Sequence, residues 1–153
     1  MSPIQRRPGK PKIRILFLCT GNAARSQMAE GWARHLKGDV IEAYSAGVAP
    51  AGLSRQAVKV MAEAGVDISR QRSKHVDELK GIEFDCVVTL CGHAHETCPR
   101  WPGHAKVIHV PFEDPTCAAG ATCEEEALDR FRRARDLIKA FVETLPASLA
   151  ARR

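Results

Sequence analysis

Apolar residues along this chain follow first one period and then another. Ile13, Ile15, Leu16, Phe17 and Leu18 make a short, nearly continuous apolar run ending at Cys19, the pattern of a strand buried on both faces of a parallel sheet. Past Thr20–Ser26 the period lengthens. Met28, Ala29, Trp32, Ala33 and Leu36 share one helical face, and Gly38 closes it as a C-terminal cap. Residues 40–46 read as a second strand and 47–52 as a Gly/Pro loop. Ser54 then caps a helix whose buried face is Ala57, Val58, Met61 and Ala62, stopped by Gly65. Residues 85–91, rich in β-branched side chains, predict a third strand and 107–110 a fourth, with a polar segment, 92–103, between them. After a loop over 111–121, Thr122 and Glu125 form a capping-box pattern. The last helix carries Leu128, Phe131, Ala134, Ile138, Phe141, Val142 and Leu145 at helical spacing. Strands alternating with helices predict an α/β fold: a single domain with a four-stranded parallel sheet, helices on both faces, and right-handed crossovers.

Composition narrows the class. With 153 residues, 44% hydrophobic and 27% charged, the chain has the size and balance of one globular domain with its own core. The longest apolar stretches, 15–19 and 86–91, fall far short of the roughly 20 residues of a spanning helix. The run behind the basic N-terminus is also too short for a signal-peptide core. A cytoplasmic protein, with no membrane partner, is expected. The net charge of +5 belongs to the ends: 7 of the 23 basic residues lie within 1–14 or at 152–153, leaving 16 against 18 acids in the body. A basic face for nucleic acid is therefore not expected. Residues 1–11, with Pro3, Pro8 and Pro11, read as a disordered basic arm ahead of a folded domain over 12–153.

Six cysteines, at 19, 86, 91, 98, 117 and 123 with no C-x2-C pair, do not make a structural disulfide framework in a reducing compartment. Some should be reactive or metal-bound. Cys19, Thr20, Gly21, Asn22, Ala23, Ala24, Arg25 and Ser26 spell C-x5-R-S between a strand and a helix, where an α/β fold places its anion site. A tetrahedral oxyanion there meets successive backbone N–H groups, the positive helix end and a guanidinium fork. The same field favours a Cys19 thiolate over the thiol. An inert thiol in a strand-end turn would leave Gly21 and Arg25 unexplained. Cys91, His93, His95 and Cys98 offer two sulfurs and two nitrogens to zinc, but their spacing departs from paired ligands on separate turns, so no metal is assigned. Cys86, inside a strand, reads as a core residue.

The stretch CTGNAARSQMAEG from Cys19 resembles the active loop of the low-molecular-weight tyrosine phosphatase superfamily. TLCGHAHETCP, together with EDP, resembles its thioredoxin-coupled arsenate reductase branch, and the likeness runs from about Ile13 to Leu145. The resemblance implies that Cys19 attacks arsenate, Cys91 attacks Cys19, and Cys98 attacks Cys91, leaving a disulfide for thioredoxin to reduce. Reducing As(V) to As(III) takes two electrons, and two thiols becoming a disulfide supply two. Asp114 of Glu113-Asp114-Pro115 then matches the general acid, Ser26 a hydrogen-bond partner of Cys19, and Glu113 a flanking surface residue. No tightly bound cofactor is implied, phosphate and sulfate are analogues of the substrate, and a monomer is expected. Cys117 and Cys123 lie outside these motifs. If the segment from Cys91 to Cys98 is helical when reduced, its seven-residue rise of about 10.5 Å exceeds the roughly 7 Å limit for disulfide Cα atoms, so a Cys91–Cys98 disulfide requires unwinding.

Two other readings share these residues. A phosphatase of the superfamily would carry Tyr after the Asp-Pro, whereas this chain has Thr116 and its one tyrosine is Tyr44. A thiol-based oxyanion or redox sensor would bind without turnover. Several family members also hold potassium beside the loop through an Asn, a Glu, a Ser and an Asp. Asn22, Glu30 and Ser45 match three of these, but the fourth position is Lys74, read either as an internal positive charge or as an exposed lysine pointing away.

Overall fold

Four parallel strands build the centre of the molecule: β1 (Ile13–Cys19), β2 (Ile41–Gly47), β3 (Cys86–Thr89) and β4 (Lys106–His109), in the order β2-β1-β3-β4. The computed structural model describes residues 12–92, 94, 105–115 and 124–151. The basic arm over 1–11, and Cys98, Thr116, Cys117, Thr122 and Cys123, lie outside them. The helices are α1 (Arg25–Lys37), α2 (Arg55–Glu63), α3 (Glu124–Glu143) and α4 (Ala147–Ala151), with a 3-10 turn at Val76–Leu79.

β1 lies in the middle, and its side chains are buried in both directions. Ile13, Ile15, Phe17 and Cys19 face a large core with Met28, Trp32, Met61, Ile68, Leu128, Phe131, Ile138 and Leu149, so α1, α2, α3 and α4 pack on that side. Leu16 and Leu18 face a smaller core closed by Val76, Leu79, Phe84 and Ala94. Each fully buried Leu, Ile or Phe contributes roughly 1.5–3 kcal/mol of transfer free energy, which is why the continuous apolar run at 13–19 forms the central strand.

Several boundaries differ from the sequence pattern. The β3 ladder stops at Thr89, although the Leu90 N–H still bonds the Leu18 carbonyl at 2.8 Å; at Cys91 the backbone turns, and Gly92 and Ala94 are helical. β4 begins one residue earlier than expected and leaves Val107 41% exposed, because it is an edge strand with one solvated face. On α2 the buried positions are Ala57, Val60 and Met61, while Ala62 is exposed. The i, i+3, i+4 stripe is thus rotated from the expected face. Gly65 does stop this helix in the left-handed region, φ +85°. Gly38 is right-handed, φ −60°, and the chain leaves α1 through a Val40 N–H to Lys37 carbonyl bond. The 3-10 turn and α4 carry no strong apolar period, so the sequence pattern did not predict them.

Candidate anion-binding and thiol site

The loop from Cys19 to Arg25 is shaped from outside. Val48, Ala49, Ala51 and Ser54 donate backbone N–H groups to the carbonyls of Cys19, Thr20, Gly21 and Ala23 at 3.3, 2.8, 2.9 and 2.9 Å. The Ser73 hydroxyl adds a second bond to the Gly21 carbonyl at 3.1 Å, Gln27 Nε2 binds the Asn22 carbonyl at 3.0 Å, and the Met28 N–H takes that of Ala24 at 2.8 Å. In a trans peptide the C=O and the next N–H point in opposite directions. All six carbonyls of residues 19–24 are thus engaged, that of Ala24 in the first turn of α1, and the loop's N–H groups, beside the N-terminus of that helix, are the donors it can offer an anion.

Asn22 sets the bend. It is the non-glycine residue with positive φ, 48°, among the described residues, a conformation Asn tolerates because its short amide can bond locally. Its Oδ1 accepts from Gln27 Nε2 at 3.0 Å and from the Lys74 backbone N–H at 3.0 Å. That fixes the amide so that Nδ2 donates to Ser26 Oγ at 2.7 Å. The Ser26 hydroxyl, accepting from Asn22, also shares a hydrogen bond with Cys19 Sγ, 2.9 Å away, so the Asn22 amide and the Cys19 sulfur are held on one oxygen. Gln27 is itself held by Gln71, whose Nε2 donates to the Gln27 Oε1 at 2.8 Å. All of these groups are buried or half-buried. Gly47, opposite Cys19 in the sheet, allows the approach: a Cβ there would lie 2.6 Å from the Thr20 carbonyl oxygen and 2.9 Å from the Asn22 nitrogen.

The parallel register continues past the ladders and brings the other predicted residues in. Pairing of Leu18 with Thr89 sets Thr20 beside Cys91, and Thr20 Oγ1 is 3.2 Å from Cys91 Sγ. The Ala94 N–H also donates to that sulfur at 3.4 Å, so Cys91 caps the first turn of the segment that follows. The Phe112 N–H to Leu90 carbonyl bond draws the chain after β4 over the loop. There Arg25 donates to the Phe112 carbonyl at 3.0 Å and lies 3.6 Å from Asp114 Oδ2. Arg25 is mostly buried and Asp114 half-exposed. Glu113 is exposed. Cys86 is fully buried, and burial pushes its thiol up to about 12.

The residues that match the potassium set are bonded to one another and to neighbouring side chains. Glu30 is buried, its Oε1 accepting the Ser45 hydroxyl at 2.5 Å and its Oε2 2.7 Å from Arg34. Lys74 Nζ donates to the Ser45 carbonyl at 2.9 Å. It is not the exposed lysine of the alternative reading. Burial lowers the pKa of its ammonium from the usual lysine value, while the Glu30 charge opposes that effect. An ammonium bonded to one of the oxygens a potassium ion would need does not fit that ion. Gln27, Gln71, Ser73 and Gly47 were missed as site residues; the one signal was a glutamine set inside the apolar stripe of α1.

A loop with a cysteine and an arginine, joining the central strand of a four-stranded parallel sheet to a helix, marks a phosphatase-like fold. The chain belongs to the low molecular weight phosphotyrosine protein phosphatase family, whose model matches residues 14–153. It is 50% identical over 134 residues to an arsenate reductase of Bacillus subtilis, covering 85% of this chain and 95% of that protein. It is 48% identical to one of Halalkalibacterium halodurans over the same length and shares. Among solved structures, an arsenate reductase in the oxidized state superposes with a TM-score of 0.73 at 32% identity, covering 88% of this chain and 97% of that one. A low molecular weight protein tyrosine phosphatase from T. tengcongensis superposes with a TM-score of 0.69 at 29% identity, covering 90% and 99%. Among the described residues no helix is long and apolar enough to cross a membrane.

Proposed function

We propose that this protein is an arsenate reductase whose electrons come from its own thiols and are restored by thioredoxin. The observation that carries the reading is the placement of a second cysteine, Cys91, against the anion loop through Thr20. Hydrolysis of a phosphate ester needs Cys19, Arg25 and Asp114 alone; a second thiol at the loop adds redox capacity. The curated relatives that share about half of the sequence are arsenate reductases, which supports the same choice. Tyr44 is engaged elsewhere, bonded to Glu42 and packed edge-on to Phe84, so it gives no stacking surface for a phosphotyrosine ring.

In the proposed sequence the nest and Arg25 hold arsenate, and the Cys19 thiolate forms an S–As bond as an As–O bond breaks, Asp114 giving the proton to the departing oxygen. Cys91 thiolate then attacks Cys19 Sγ. The S–As bond breaks with its electron pair left on arsenic, which departs as arsenite, and Cys19 and Cys91 are joined. Cys98 attacks Cys91, frees the Cys19 thiolate and forms the Cys91–Cys98 disulfide, which a thioredoxin dithiol reduces by exchange. Two thiols are oxidised for each arsenic reduced.

An assay coupling arsenate to NADPH through thioredoxin and its reductase tests this. Turnover is expected in the unmodified protein and none in Cys19→Ser. Cys91→Ser and Cys98→Ser should stop arsenate reduction while slow hydrolysis of a small aryl phosphate continues. Normal thioredoxin-dependent turnover by Cys98→Ser would remove the relay, and loss of both activities in Cys91→Ser would remove the division of labour.

A further inference from the structure

Lys74 touches the site at three points from one residue. Its backbone N–H bonds Asn22 Oδ1 at 3.0 Å, its carbonyl accepts the Gly47 N–H at 2.9 Å, and its Nζ donates to the Ser45 carbonyl at 2.9 Å. The two β2 residues it grips are themselves fitted to the loop. Ser45 is bonded through its hydroxyl to the buried Glu30, and Gly47 lies against Thr20 and Asn22. Neighbouring residues complete a strut along the outside of the loop, the Arg72 carbonyl accepting from Gln27 Nε2 and the Ser73 hydroxyl bonding the Gly21 carbonyl.

We propose that Lys74 is a positioning residue, a covalently tethered cation that balances Glu30 and holds Asn22 in the conformation the anion loop requires. The loop then needs no exchangeable monovalent ion. An exchangeable ion stabilises a site only to the extent that its concentration exceeds its dissociation constant, whereas a lysine on a fixed strut is present at every concentration. A buried carboxylate without a cation is costly, and Arg34, which binds Glu30 Oε2 at 2.7 Å and the Ala43 carbonyl at 3.3 Å, has its side chain 56% exposed. Lys74 adds a second, half-buried cation at Ser45, the residue whose hydroxyl bonds Glu30. Through Asn22 the effect reaches Ser26 and then Cys19.

The proposal rests on reading residues 19–26 as the anion loop. Its test separates the two ideas by measuring melting temperature and the affinity for inorganic phosphate, by calorimetry, in sodium, potassium and choline chloride at constant ionic strength. The unmodified protein should give the same melting temperature and the same phosphate Kd in all three salts. Lys74→Met should weaken phosphate by at least roughly tenfold in every salt, the scale of one lost charged hydrogen bond beneath the loop. Lys74→Asp should be weakened in sodium and choline and recover in potassium alone. A potassium-specific rise in melting temperature or phosphate affinity in the unmodified protein would overturn the proposal, as would wild-type phosphate binding by Lys74→Met. If the unmodified protein binds no phosphate, the anion-site reading fails, and the salt series of melting temperatures still decides the role of Lys74.

Discussion

Thr20 Oγ1 lies 3.2 Å from Cys91 Sγ, across the ends of two adjacent parallel strands. The Ala94 N–H donates to that sulfur, and the hydrogen bond the sulfur shares with the Thr20 hydroxyl holds it against the loop that starts at Cys19. Thr20→Val should therefore slow arsenate turnover by about tenfold, the worth of one charge-assisted hydrogen bond. Hydrolysis of a small aryl phosphate should change little, because the backbone N–H of residue 20 remains in the nest. Stopped-flow measurement of a single arsenate turnover checks this, and equal loss of both activities would place the effect in the loop instead.

Arg25, the residue that ends the loop, binds the Phe112 carbonyl and approaches Asp114. A lysine would keep the charge but lose the planar fork that meets two oxygens at once. Arg25→Lys should lower kcat/KM for arsenate and for the aryl phosphate together, by roughly a hundredfold or more. Measured side by side, the two activities should fall in parallel.

Gly47→Ala inserts a Cβ 2.6 Å from one backbone oxygen and 2.9 Å from one backbone nitrogen, both in the anion loop. Backbone cannot swing aside as a side chain can, so the loop must move. A loss of about 1–3 kcal/mol in stability, typical of overpacking, should accompany weakened phosphate binding. Gly81→Ala, where a new Cβ meets nothing within 4 Å, is the control and should leave phosphate affinity unchanged. Chemical denaturation and calorimetry report the two quantities.

Cys86 is fully buried on β3 and its thiol is pushed up to about 12 by that burial. In the folded protein it should resist iodoacetamide at neutral pH, while Cys19 is alkylated; mass mapping of labelled peptides distinguishes them. The same shift fixes a pH trend. Below about 9 the thiol is neutral in both states. Above it the unfolded chain ionises Cys86 and the folded one does not, so this group's contribution is lost as pH rises from 9 toward 12. Relative to Cys86→Ala, the unmodified protein should lose about 1 kcal/mol per pH unit over that window.

The sequence by itself determined the order of elements, the buried central strand, and the loop with its cysteine and arginine, because these are local facts. A continuous apolar run must be covered on both sides, and C-x5-R-S lies within one strand-turn-helix unit. Tertiary structure decided what lies far apart along the chain. Gln71, Ser73 and Lys74 close on the loop from 44 to 52 residues away, and no local period marks a polar residue that bonds outward carbonyls. Asp114 reaches Arg25 only because β4 pairs with β3 and sends its following loop across the sheet end. The face of α2 and the exposure of Val107 were likewise set by partners, since a helix turns the stripe its neighbours leave room for and an edge strand keeps one side in water. Lys74 shows both halves: its position in the chain marks a departure from the family pattern, but only the packing of β2 against the loop turns that departure into a charge beneath the site.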